Sequence, residues 1–506
     1  MTLPVGDRPA KHRPARTVGT DALAAGQLGV ADLVFFTWTA TTPLTVIAGL
    51  IVTGYAATGQ TGIPVSFLLV GGVLAVFAPG FVAMARHVGN AGAFYSFIAR
   101  GLSRELGVGA AWLALISYNA LQVALYGAVG VAGIPVAQRY LGISPPWWAI
   151  ALIAWAFTAV MGVRPIRENS RVLAVLLVAE IAVSLVYSFA DLGHPAGGQI
   201  SFHTLSPGSL STAGLGAVLV LALLAFVGFE SAAVYSEETR NAPRTVPIAI
   251  YTGIGLIGTV YLFASWAMSV ATGPTRIVQA SRTQGSDLIF NLASTQLGGW
   301  AGDIGHLLFV TSVNAALISF HNTSARYAFA LGREHVLPAV LGRPSVRTHA
   351  PVVASWAQSG IGLFVIILFA ARGWDPLVQL FYWGGTSGAL GILMLLLLTS
   401  MAVVKYFRVT AHEERLWSSF LAPLLAAGAL AVMVVLAVRS LPVLFGVPPH
   451  HPLTVAVPVI IVGALVLGMI RARMLAARRP DVYASIGHGP NAAAVRSSVN
   501  AVRAVA

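Results

Sequence analysis

Apolar stretches of about 20 residues recur along the chain, and short polar segments between them carry most of its charge. A helix needs about 20 mostly apolar residues to cross a hydrocarbon core of roughly 30 Å, and about twelve stretches meet that need. The first six are Val30–Thr53, Ile63–Met84, Val108–Ile134, Trp147–Val163, Val172–Phe189 and Leu215–Tyr235. The second six are Ile248–Val270, Ile304–Leu331, Val352–Ala370, Leu377–Val404, Phe420–Val438 and Leu453–Ile470; the fourth of the twelve is short. Several are apolar on every side, as helices buried in a bundle or in lipid are. The pattern predicts an all-α integral membrane protein. A transmembrane domain spans 27–475, between a basic tail at 1–26 and a small-residue, polar tail at 476–506 whose composition predicts disorder.

Two of these stretches break their own rule. In the first, Thr39, Thr41 and Thr42 stand directly before Pro43, and proline removes a backbone donor and clashes with the preceding turn. The sixth begins the segment LLAFVGFESAAVYSEETRNAPRTVP, where Gly228 is followed by Phe229 and a carboxylate, Glu230. Unpaired backbone groups in hydrocarbon cost several kcal/mol each, so an opened helix must line a cavity inside protein. The interruptions lie five spans apart, and paired interruptions in matching halves point to a transporter's solute site. For the threonines the alternative is a kinked structural helix whose hydroxyls bond back to their own carbonyls. Phe226 and Phe229 flank the glycine as candidate gates or as core packing.

Composition narrows the class. The chain is 57% hydrophobic and 9% charged, with a mean hydropathy of +0.80, against about 25% charge in soluble proteins. It has no cysteine, which removes thiolate metal sites and cysteine nucleophiles. The net charge of +13 would suggest nucleic acid in a soluble protein. With the N-terminus inside, however, 25 of the 30 Lys and Arg residues fall in cytoplasmic segments, so the positive-inside rule accounts for the charge. Both termini are then cytoplasmic, the partner is the lipid bilayer of the cytoplasmic membrane, and nucleic acid is not implied. Residues 1 to 26 lack an apolar core, so no cleavable signal is expected. No phosphate-binding loop or nucleotide fingerprint is visible, and no nucleophile–base set converges at one depth, so an enzyme is not expected.

Glu180 stands in the middle of the fifth span, where a charge costs roughly 2.5–3.5 kcal/mol on insertion scales. It is a candidate proton carrier or cation ligand; the alternative is a carboxylate held permanently by a serine or an arginine. Tyr118, Asn119 and Gln122 in the third span, and Asn314, Ser319, Asn322 and Thr323 in the eighth, either touch solute or join helices. FYWGG, Phe381 to Gly385, either closes a pocket or packs. Phe94, Tyr95 and Phe97 are expected at the membrane surface on an interfacial helix, with Arg100 and Arg104 in water. A short helix capped by Ser286 is expected between Arg276 and Gly299.

GFESAAVYSEETRNAPRTVPIAI resembles the sixth-span signature of the amino acid–polyamine–organocation permeases. RYAFALGREHVLP, Arg326 to Pro338, is similar to their eighth-span motif, and NAGAFYSFIARGLSRELG to their first inner loop. The resemblance implies a five-plus-five inverted repeat followed by two C-terminal helices, with solute held between the unwound first and sixth spans. Thr41, Thr42 and Pro43 would stand where the family has a Gly-x-Gly carboxylate-binding turn, a departure from its pattern, with Thr39 just before them as a further candidate for solute binding. Thr41 and Thr42 would take the solute's anionic end and carbonyls from Phe226 to Gly228 its ammonium. Phe229 would gate, and Glu230 would brace the unwound segment. Glu180 falls where proton-coupled relatives carry a lysine, and Ser319 near the hydroxyl of a sodium site in related transporters. Together they would couple transport to a proton, with sodium as the alternative. The expected function is secondary transport of an amino acid or related amine, with no cofactor. Polyamine or amine import, amine–amino acid exchange, and a non-transporting sensor are the alternatives; oligomeric state is left open.

Overall fold

The computed structural model describes residues 23, 26–212 and 214–505, apart from the side chains at 166–172 and 503–505; the basic segment before Leu23 lies outside this range. Among the described residues eleven helices are long and apolar enough to cross a membrane: Val30–Thr58, Ile63–His87, Arg104–Leu141, Leu173–Gly193, Leu215–Val234, Ala242–Thr272, Gly299–Arg333, Val352–Arg372, Pro376–Val409, Trp417–Arg439 and Leu453–Arg478. The apolar helix Trp147–Gly162 is shorter, and counting it as the fourth gives the twelve expected. Among the described residues the only β-pairing is a parallel bridge between Leu28 and Thr239.

Local chemistry sets the ends. The Ser103 hydroxyl accepts the Leu106 amide at 3.2 Å to start the third span, satisfying a donor that a helix N-terminus leaves open. Asp375 does the same for the tenth, accepting from Leu377 and Val378. In the first, Asp32 accepts the Gly29 amide at 3.0 Å. Burial sorts the spans: the apolar window of the sixth is 94% buried, that of the twelfth 17%. The sixth is thus enclosed by protein and the twelfth faces outward.

Three expectations change. Ala93–Gly101 is helical, but Phe94, Tyr95 and Phe97 are buried in protein rather than laid on the membrane surface. The rings of Phe94 and Phe97 stand 5.7 and 5.3 Å from Phe81 of the second span, so a neighbouring helix covers the apolar face that lipid would otherwise have covered. Between the seventh and eighth spans lie two short helices, Ile277–Gln284 and Leu288–Leu297; the second follows Asp287 and has no side-chain cap. Where disorder is expected after Arg479, Pro480–Ser485 and Ala492–Val505 are helical. The tail is held by a tertiary partner that its own composition cannot reveal: the Gly487 and Gly489 amides each donate to Glu334 at 2.7 Å.

Candidate functional site

Both interruptions are real, and they touch. The first span stops at Thr41, Thr42 takes a left-handed conformation (φ 34°, ψ 83°), and Pro43 begins a second half that continues as a wide π-turn, Val46–Ile51. The sixth stops at Phe226; Val227 is extended (ψ 128°), Gly228 has φ 120°, and a short helix resumes at Ser231. A Cβ placed on Gly228 would lie 2.5 Å from the Ala40 Cβ. Glycine is therefore required at 228 both by its dihedral and by the approach of the other broken helix.

Side chains take up the amides released at these breaks. The Thr45 amide donates to Ser312 Oγ at 3.2 Å, the Thr45 hydroxyl to the same oxygen at 2.9 Å, and Ser312 Oγ to Glu180 Oε2 at 2.7 Å. The Leu44 amide also bonds the Glu180 carboxylate. At the other break the Gly228 amide donates to Glu230 Oε2 at 2.9 Å, and Tyr118 donates to Glu230 Oε1 at 2.7 Å. Both carboxylates are buried. Glu230 thus holds the unwound segment from within and reaches across to the third span. The Thr41 carbonyl accepts Tyr261 Oη at 2.5 Å. Of the carbonyls from Phe226 to Gly228, two accept the Phe229 and Ser231 amides, and that of Val227 accepts none among the described backbone bonds.

A cavity of about 50 Å³ lies at the breaks, lined among others by Thr41, Thr42, Thr45, Val227, Phe320 and Phe381. Thr39 is buried but does not line it, and its hydroxyl donates to the Phe35 carbonyl at 2.6 Å; Thr41 likewise donates to Trp38 at 2.6 Å. Pro43 shapes the break without lining the cavity. Phe226 and Phe229 are not at the cavity: Phe226 packs on Phe67 and Tyr261, Phe229 on Phe77 and Phe81. The aromatic rings that border it, Phe320 and Phe381, come from the eighth and tenth spans. Ser319 is buried with its hydroxyl unpartnered; Ser312, two helical turns earlier, is the serine that meets Glu180. Of the weaker candidates, Tyr118 braces Glu230. Asn119 and Gln122 accept from Gln358 in a polar cluster that joins the third and ninth spans.

A second cavity of about 360 Å³ lies on the far side of Phe381, which lines both. Its wall includes Thr53, Asp287, His306, Phe309 and Tyr382, and it meets the surface at the exposed Leu377 and Val378. The opposite, tail end of the bundle is sealed. Arg326 holds Glu238 through two bonds of 2.6 and 2.9 Å and lies 4.7 Å over the Tyr235 ring. Arg333 holds Glu237 at 2.8 and 2.7 Å. The Leu28 amide and carbonyl bond Glu238 and Arg240 at 3.0 Å each. Glu334 accepts from Asn90 at 2.9 Å, from Tyr95, and from the two tail amides, while burial raises its pKa. These ion pairs join the two charged motifs, SEET and RYAFALGREH. Each was visible in the sequence, but not that one pairs with the other.

A family model described as amino acid permease matches residues 28–468. Curated relatives include a low-affinity putrescine importer of Escherichia coli K12, 24% identical over 50% of this chain and 56% of its own length. A cadaverine/lysine antiporter of the same strain is 42% identical over 17% of this chain and 18% of its own. A branched-chain amino acid permease of Bacillus subtilis is 24% identical over 60% and 66%. The matched region covers a little over half of the putrescine importer and no more than about two thirds of the branched-chain permease.

Proposed function

The chain belongs to the amino acid permease family, and from this premise we propose that it moves a small amino acid or amine across the cytoplasmic membrane by alternating access. It is a multi-pass membrane transporter and not an enzyme. The observation that carries the mechanism is the contact between the two broken helices, Ala40 against Gly228, beside a cavity bounded by Thr41, Thr42 and Val227. Rigid helices crossing at this depth would offer a solute no backbone; broken ones do.

Solute enters from the wider cavity past Phe381, which shuts behind it. The pairs Glu238–Arg326 and Glu237–Arg333 then part and open the tail end, for which the basic loops support a cytoplasmic side. Glu180 is the proton carrier. When ionised it takes the Ser312 hydroxyl and the Leu44 amide, tying the fifth and eighth spans to the mobile half of the first. When protonated it holds them less strongly, so proton and helix move together. The oxygens of Glu180, Ser312 and Thr45 are bonded to one another, which supports a proton over sodium, since an ion would have to part them. Glu180→Gln in proteoliposomes is expected to abolish gradient-driven accumulation and leave solute exchange intact; uptake that remains concentrative removes Glu180 from coupling.

A further inference from the structure

We infer that the solute carries an ammonium group and no carboxylate: an amine rather than an α-amino acid. This rests on the transport reading above and narrows it. A carboxylate bound between broken helices needs donors, and the backbone amides at these breaks are already engaged. The Leu44 amide is held by Glu180, the Thr45 amide by Ser312 and the Gly228 amide by Glu230. The Thr42 and Phe229 amides turn back to the Thr39 and Phe226 carbonyls, and Pro43 has none to give. Two of the threonine hydroxyls lining the cavity have also committed their protons, Thr41 to the Trp38 carbonyl and Thr45 to Ser312.

What remains at the cavity is three oxygens that accept and one proton, that of Thr42. The Thr41 oxygen keeps lone pairs, the Thr42 hydroxyl lines the cavity with no bond among the described residues, and the Val227 carbonyl receives no amide. No charged side chain lines the cavity. A cation on the eighth span, Arg326, is clasped at both ends by Glu238. The ionisable side chains bonded to the breaks themselves are the carboxylates Glu180 and Glu230. An ammonium there finds three acceptor oxygens; a carboxylate finds a single hydroxyl proton. The rest of the lining, with Leu121, Leu125, Phe320 and Phe381, suits an apolar carbon body.

The test is counterflow with the full-length protein in sealed liposomes, using labelled pairs that differ only by the carboxylate: isobutylamine and valine, cadaverine and lysine, agmatine and arginine. At least one amine is expected to exchange about ten-fold faster than its parent amino acid, as a site with mismatched polar groups demands. An amino acid that exchanges as fast as its amine, or faster, overturns the amine assignment and leaves transport standing. No exchange of any probe overturns the transport reading along with it. Glu180→Ala, which strips the carboxylate from the Leu44 amide, is expected to lower the amine preference in the same exchange assay. An unchanged preference overturns the argument from engaged amides.

Discussion

Ser312 holds three partners: it accepts from the amide and the hydroxyl of Thr45 and donates to Glu180. Removing a buried hydrogen-bonding partner costs about 1–3 kcal/mol. Ser312→Ala is therefore expected to lower gradient-driven uptake by roughly 5- to 100-fold, with Ser312→Thr recovering part of it, measured as initial rates in proteoliposomes. Ser319→Ala removes a buried hydroxyl that bonds nothing among the described residues, and is expected to leave the rate within about two-fold of the parent. The family resemblance points to Ser319, while Ser312 is the serine that meets Glu180, and the two are easily exchanged. Seven residues are within about 20° of two full turns, so both serines lie on one face of the eighth span. Periodicity gives the face but not the depth. Glu180 was legible because a carboxylate in mid-span is costly wherever it sits. Glu230 stands out as a candidate from its place beside the glycine, and its carboxylate accepts the Gly228 amide. Phe226 and Phe229 were not, because any aromatic residue at a break is apolar and which way the loosened backbone turns it is a tertiary matter.

At the scale of an element, the broken helices show how much local chemistry can dictate. Proline at 43 and glycine at 228 announced both breaks, since each acts through its own backbone. The hydroxyls were a different matter. Thr39 and Thr41 bond back within their own helix, so they stabilise the end of the first half while only Thr41 also faces the cavity. Gly228→Ala would combine a disfavoured φ with a Cβ set 2.5 Å from that of Ala40. It is expected to cost about 1–3 kcal/mol and to reduce transport to background, read by thermal unfolding in detergent and by uptake. Gly255→Ala serves as the comparison, since a Cβ there meets nothing within 4 Å; it should change neither.

For the molecule as a whole, the spans and their order followed from hydropathy, and the closure of one end did not. That closure joins residues far apart in the chain: Leu28 with Thr239, Glu237 and Glu238 with the end of the eighth span, and Gly487 and Gly489 with Glu334. Removing residues 480–506 takes two of the four donors from a buried carboxyl group and should loosen the sealed end. With no native cysteine, a single Ala316→Cys in the cavity wall reports this directly. The truncated protein is expected to react faster with a membrane-impermeant thiol reagent added from the tail side; an equal rate would show that the tail has no part in the seal. The contact between residues 40 and 228 has a consequence for what the seam between the broken helices can hold. Between the two strands of backbone there is space for one methyl group, and this chain places it at Ala40. A side chain placed opposite has to displace that methyl, so the seam holds one such group and no second.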